Sequence, residues 1–296
     1  MTRVAFLGLG AIGAPMARHL AKPPFDLTVW NRTTEKAEEF ARDYTARAAA
    51  TPAAAVRDAE FVVTCLPSSR EVEEVLSQAD GILAGIATHS ILIDCTSGDP
   101  AASQAIAATL ASKDVGFIDA PVSGGVAGAK AGALTVMCGA QPHDLERARS
   151  VLEAFGKKIV LCGPVGSGHA VKAMSNALLA VHVWSLSEAL AALAKIGIHS
   201  DIALDVINGS AGRSNVSENL FPERVIGRAF PKTFRLALLD KDIGIADKLA
   251  AEAGAPVPII DLAAKLIHEA HEQLGEEADH VEAAKVVEER AGVLIQ

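Results

Sequence analysis

The chain opens on a short, wholly apolar run, Val4-Ala5-Phe6-Leu7, and runs of the same kind return at residues 27–30, 60–66, 90–94, 115–119, 134–138 and 158–162. Each is a few residues long and rich in Val, Ile, Leu or Phe, without a regular polar alternation. That is how a strand buried on both faces reads. Helical patterns fill the gaps between the runs, among them residues 14–21 and 143–155. Strand and helix in strict alternation predict a parallel, doubly wound sheet. After Gly197 the strand pattern stops. Helical segments follow at about residues 201–208, 216–226, 236–253, 259–274 and 281–290, which predicts an all-helical second domain. Between the halves lies the stretch 163–197, where Gly163, Gly166 and Gly168 precede an almost unbroken run of helix formers. It reads as a long connecting helix.

The first run leads directly into Gly8-Leu9-Gly10-Ala11-Ile12-Gly13, and a helix opens at Ala14. A G-x-G-x-x-G set occurs in ordinary turns too, but between a strand and a helix it marks a dinucleotide-binding turn. Gly8 permits the tight turn, Gly10 lets a pyrophosphate approach the backbone, and Gly13 allows helix and strand to pack closely. With Ala11 and Ile12 they form a loop at a helix start, where free N–H groups and the helix dipole favour phosphate. The second run ends in Asn31-Arg32-Thr33, where a carboxylate would select NAD and an arginine suits the 2′-phosphate of NADP. NADP is therefore the expected cofactor, with NAD as the alternative. The expected fold is an α/β Rossmann doubly wound domain over residues 1–163, followed by an all-α domain over 164–296. A long interdomain helix joins them.

Ligands of such sheets bind beyond the carboxyl ends of the strands. That singles out Leu66-Pro67, Thr96-Ser97 and Ser123-Gly124-Gly125. On the connecting helix, Lys172 and Asn176 stand four apart and share a face. Their neighbours are largely apolar. Most lone lysines are simply solvated, but one held among apolar side chains can carry a proton, because desolvation disfavours its charged form.

Composition narrows the setting. Half of the 296 residues are apolar and the formal charge is −9, with a pI near 5.5, so neither nucleic acid nor an anionic membrane surface is the expected partner. The four cysteines, Cys65, Cys95, Cys138 and Cys162, are scattered and read as buried, reduced thiols. There is no signal-peptide pattern, and no apolar run of membrane length free of charges and helix breakers. The expectation is a cytoplasmic protein without a membrane span. His268 and His271 are three apart but lack an evident third ligand; they read as part of a solvated face, with no metal.

Four stretches in order resemble the β-hydroxyacid dehydrogenases, and the resemblance spans essentially the whole chain. They are the GLGAIG turn, Asp119-Ala-Pro-Val-Ser-Gly-Gly125, the G-x-G-x-x-x-K-x-x-x-N run from Gly166 to Asn176, and Lys241-Asp242. The resemblance implies that Lys172 is the catalytic acid/base and that Asn176 hydrogen-bonds the substrate. It further implies that Ser123, Gly124 and Gly125 hold the substrate carboxylate, and that Lys241 reaches cofactor and substrate. Leu66, Pro67 and Thr96 would line the nicotinamide half. Ile12 stands where Met is common, and Cys95-Thr96 replaces a more usual Ser-Thr order. The 210–214 loop (SAGRS) and Asn31-Arg32-Thr33 resemble the 3-hydroxyisobutyrate branch and its NADP-using members.

The implied reaction is hydride transfer between NADP(H) and a short 3-hydroxy acid/semialdehyde pair, 3-hydroxyisobutyrate first. Tartronate-semialdehyde and succinic-semialdehyde reduction are the alternatives. Imine reductases look similar throughout but typically lack this lysine, and a non-catalytic dinucleotide-binding protein would be free to lose both Lys172 and Asn176. The amphipathic helices of the second domain suit a homodimer or homotetramer.

Overall fold

Alternate residues of the first strand enter two different apolar layers. Val4 and Phe6 pack into one, Ala5 and Leu7 into the other. The same division recurs along the strands Phe61–Thr64 and Ile91–Asp94, where Val63 and Ile93 lie on one face and Val62 and Leu92 on the other. A sheet covered on both sides explains why its strands read as continuous apolar runs.

The computed structural model describes residues 1–296, which divide into two units, Met1–Lys172 and Ala173–Gln296. The first holds nine strands: β1 (Thr2–Leu7), β2 (Phe25–Trp30), β3 (Arg47–Ala48), β4 (Phe61–Thr64), β5 (Ile91–Asp94), β6 (Gly116–Asp119), β7 (Val122–Ser123), β8 (Leu134–Gly139) and β9 (Gly156–Gly163). Their order is β3-β2-β1-β4-β5-β6-β8-β7, with β9 on β8. The β3-to-β6 part is wholly parallel, as the alternation predicts. The far end corrects that prediction, since β8 runs antiparallel to both β6 and β7. After Asp119 the chain turns at once into the two-residue β7, and only a seven-residue helix, Gly125–Ala131, precedes β8. β7 and β8 thereby fold back on each other as an antiparallel pair, without the helical crossover that parallel pairing requires.

The second unit is all-helical and has its own core, in which Val183, Leu190, Phe221, Leu239, Ile243, Ile267 and Val281 are fully buried. Two predicted helices differ in detail. The 216–226 segment forms two successive π-helical turns, Val216–Leu220 and Pro222–Ile226; Pro222 supplies no N–H and so interrupts an α-helical ladder. The last segment begins with a single 3₁₀ turn, His280–Glu282, and continues as Ala283–Ala291. Its start is fixed by a capping box: Asp279 accepts from the Val281 N–H, and Glu282 accepts from the Asp279 N–H. Burial alone would push the Asp279 carboxyl up. The adjacent His280 and the N–H donors of Thr233 and Phe234 outweigh it and hold the group well below its usual range.

The long helix is Ser167–Lys195, 29 residues or about 44 Å. By length and composition it could cross a membrane. Its apolar character has another use here, because Ala177, Ala180, Val183 and Leu190 are fully buried in the helical core.

Candidate active site

The glycine turn closes on itself through backbone contacts that admit no side chain. A Cβ on Gly13 would lie 2.0 Å from the Gly8 carbonyl oxygen, and one on Gly8 would lie 2.3 Å from that of Cys65. Gly8 also has φ of +106°, a conformation that favours glycine. Gly10 is different. A Cβ there would meet nothing within 4 Å, so the backbone at Gly10, just before the helix Gly13–Leu20, faces open space. Ala11 is exposed, Ile12 is half-buried, and the helix start carries neither an acidic residue nor a side-chain cap. Open backbone beside an uncapped helix start fits a pyrophosphate.

At the end of β2 the Asn31 amide is committed within the protein. Its Oδ1 accepts from the Leu9 N–H (2.9 Å) and its Nδ2 donates to the Thr33 carbonyl (3.0 Å), tying this loop to the glycine turn. Arg32 is exposed, as is Thr33, whose side chain does not cap the helix Thr34–Asp43.

The loops after β4 and β5 are joined below the surface. Thr64 and the Thr96 N–H both donate to Asp94 Oδ1 (2.8 and 3.1 Å), and the Leu66 N–H donates to Thr96 Oγ1 (3.1 Å). Thr96 is buried, Leu66 half-buried and Pro67 exposed. Of the neighbouring thiols, Cys95 is buried and Cys65 half-buried. Burial, with the Asp94 charge adding to it, pushes Cys65 up to about 12, and Cys95 also lies well above its ordinary value through burial. Ser123 is held by the pairing of β7 with β8, while Gly124 (φ +133°) and Gly125 (φ +61°) are exposed beyond it.

The long helix starts on this same platform. Asp119, at the end of β6, accepts from the backbone N–H of Gly166 (2.7 Å) and of His169 (2.9 Å), so one carboxylate takes two donors at the helix start. Burial raises the Asp119 carboxyl above its ordinary range, against the opposing pull of His169 and those two N–H groups. A Cβ on Gly168 would stand 2.3 Å from the Met137 carbonyl oxygen, so the helix can seat here only through glycine. Lys172 follows, half-buried.

Within the second unit Asn176 is 6% exposed and donates from Nδ2 to Asp242 Oδ2 (2.6 Å). The other oxygen of Asp242 lies 3.1 Å from Lys241 Nζ. Asp242 is 2% exposed. It was visible in the sequence only as the neighbour of Lys241, with no sign that it would clamp Asn176. Asp242 thus meets Asn176 with one oxygen and Lys241 with the other, and the first contact orients the Asn176 amide. His268 and His271 are not simply solvated. Both Nδ1 atoms meet Asp240 Oδ2, at 3.0 and 2.8 Å, and His271 is only 19% exposed. The Asp240 hydrogen bond, reinforced by its charge, raises His268 above its usual value.

The glycine turn and the loops beyond β4 and β5 mark the first unit as a domain that binds a nicotinamide dinucleotide, and the long helix carries Lys172 and Asn176. Known proteins agree. Residues 3–163 match the family model for the NAD-binding domain of 6-phosphogluconate dehydrogenase, and residues 166–287 match that for the NAD-binding of NADP-dependent 3-hydroxyisobutyrate dehydrogenase. The chain is 33% identical over 268 residues to the mitochondrial 3-hydroxyisobutyrate dehydrogenase of Mus musculus, covering 88% of this chain and 80% of that one. It is 34% identical over 272 residues to the NAD-dependent L-serine dehydrogenase of Pseudomonas aeruginosa, covering 90% and 91%. Among solved structures it is similar to Mycobacterium tuberculosis 3-hydroxyisobutyrate dehydrogenase with L-serine, at a TM-score of 0.88 and 30% identity over 97% of this chain and 99% of that one. The chain belongs to the 3-hydroxyisobutyrate dehydrogenase family of NAD(P)-dependent 3-hydroxyacid dehydrogenases.

Proposed function

We propose that this enzyme interconverts a short 3-hydroxy acid and its semialdehyde, with 3-hydroxyisobutyrate as the preferred acid and NADP(H) as the preferred cofactor. The observation that carries the reading is the helix that presents Lys172 and, one turn on, an Asn176 oriented by Asp242. Oxidising a primary alcohol releases a hydride and a proton. The nicotinamide, when bound, supplies the hydride acceptor. Neutral Lys172 Nζ takes the hydroxyl proton, and the ammonium returns it when the aldehyde is reduced. Asn176 holds the reacting oxygen, and the backbone about Ser123, Gly124 and Gly125 receives the carboxylate. Lys241 adds positive charge for the anionic substrate and cofactor. Arg32, exposed at the end of β2 with no carboxylate in the Asn31-Arg32-Thr33 turn, supports NADP over NAD.

A second reading, L-serine as substrate, is favoured by the name of the Pseudomonas relative and by the ligand of the Mycobacterium structure. Both acids carry a CH₂OH next to the carbon that bears the carboxylate. The test follows nicotinamide reduction with NADP⁺ and with NAD⁺ across 3-hydroxyisobutyrate, L-serine, glycerate, 3-hydroxypropionate and 4-hydroxybutyrate. The highest kcat/KM should fall on 3-hydroxyisobutyrate with NADP⁺. A serine maximum would replace the substrate, and turnover of none of the five would refute the reading.

A further inference from the structure

His169 precedes Lys172 by three residues and Asn176 by seven, so all three share one face of the long helix. Its side chain is 1% exposed and both ring nitrogens are engaged. Nε2 lies 2.7 Å from the Thr96 carbonyl oxygen. A carbonyl only accepts, so Nε2 carries a proton. Nδ1 lies 2.6 Å from Ser103 Oγ, a hydroxyl that also reaches the Asp99 carbonyl oxygen (3.2 Å). Ser103 is itself 1% exposed and sits in the helix Pro100–Ala111. The ring also rests on Gly98, where a Cβ would approach its Cε1 to 3.0 Å. The backbone N–H of the same histidine is taken by Asp119.

These contacts run in one direction. From His169 the path goes to the Thr96 carbonyl, and from Thr96 Oγ1 to the Leu66 N–H. Thr96 and Leu66 are the residues assigned to the nicotinamide half of the cofactor, and the helix that His169 anchors carries the proton-transferring lysine. We propose that His169 is a positioning residue: its imidazole ties the nicotinamide-side loops to the start of the helix that presents Lys172. This inference rests on Lys172 being the proton carrier. A serine or alanine here would leave the Thr96 carbonyl buried without its donor, and a buried polar group without a partner is costly. A shift of the helix start by an ångström would misplace Lys172, and errors of that size cost about 100-fold in rate.

Two substitutions separate the two ring nitrogens. His169→Gln carries an amide nitrogen near the place of Nε2 and can still donate to Thr96; His169→Asn reaches only the place of Nδ1. The first measurement is amide hydrogen exchange on the whole protein, which does not depend on turnover. The second is kcat and KM with NADP⁺ and whichever of 3-hydroxyisobutyrate and L-serine the parent turns over faster. In His169→Ala and His169→Asn, exchange at Leu66 should quicken while that of Ile243, in the other unit, stays as in the parent. kcat should fall about 10–100-fold, and His169→Gln should recover most of both losses. Unchanged exchange at Leu66 in His169→Ala overturns the tie. So does faster exchange at Ile243 as well, which marks general destabilisation, or a loss that His169→Gln fails to recover. Lys172→Ala is measured alongside. If it retains turnover, the proton-carrier reading fails whatever His169 does; if it is inactive while His169→Ala keeps the parent's kcat and exchange, only the positioning role fails.

Discussion

Asp242 spends one oxygen on Asn176 and the other on Lys241, so a single buried carboxylate sets two side chains of the proposed site. Hydrogen bonds to a charged group contribute about 1.5–3 kcal/mol. Asp242→Asn should therefore lower kcat by about 10–100-fold with a smaller change in KM, read by steady-state kinetics. An unchanged kcat would show that the clamp on Asn176 is idle. Arg32 belongs to the same scale. Arg32→Asp should cut the ratio of kcat/KM for NADP⁺ over NAD⁺ by about 10–100-fold, since a charge-assisted contact to the phosphate is lost and a repulsion gained; an unmoved ratio would place phosphate recognition elsewhere. Helix spacing puts Lys172 and Asn176 on one face, and the resemblance gives that pair its proposed role. Their supports were not legible. Asp242 lies 66 residues from Asn176, and Thr96 lies 73 from His169, so neither pairing leaves a local pattern. The Asn31 tie is equally invisible locally: its amide joins the loop after β2 to the glycine turn, 22 residues away.

The glycine turn is the element whose parts can be tested against each other. Gly13→Ala would drive a methyl group to 2.0 Å from the Gly8 carbonyl and should destabilise the protein, by about 1–3 kcal/mol or more. Gly10→Ala meets no protein atom, so its melting temperature should match the parent's while cofactor affinity falls, because only a bound pyrophosphate would feel the methyl group. Thermal melting and calorimetric titration with NADP⁺ check both, and equal NADP⁺ affinity in Gly10→Ala would contradict the cradle. The five parallel strands β1, β2, β4, β5 and β6 obey one physical rule, burial in the sheet, and announced themselves as apolar runs; the two-residue β3, exposed at the sheet edge, did not. β8 announced itself as an apolar run too, but its antiparallel pairing with β7 did not, because strand direction is decided by the length and path of a connection rather than by the residues of the strand. The π-helical turns about Pro222 look apolar-periodic in sequence, and Pro222, which has no N–H to give an α-helical ladder, is the one local mark of the departure.

At the scale of the whole molecule, two cores with different chemistry of packing are written in the chain: apolar runs without polar alternation for the sheet, and helical periodicity for the second unit. The change of pattern after Gly197 was readable, whereas the structural division falls inside the long helix, between Lys172 and Ala173, where the residue pattern does not change. The acidic balance of −9 makes the local positive charges, Arg32, Lys172 and Lys241, stand out as the groups able to receive an anionic cofactor and substrate. In the proposed reaction this family member transfers a hydride with Lys172 as its proton carrier. The most direct measurement is Lys172→Ala beside the parent, with kcat for the preferred 3-hydroxy acid and NADP⁺ affinity by calorimetry on the same samples. Loss of kcat by about 10²–10⁴-fold with NADP⁺ affinity kept is the predicted result, and near-parental turnover in Lys172→Ala would contradict it.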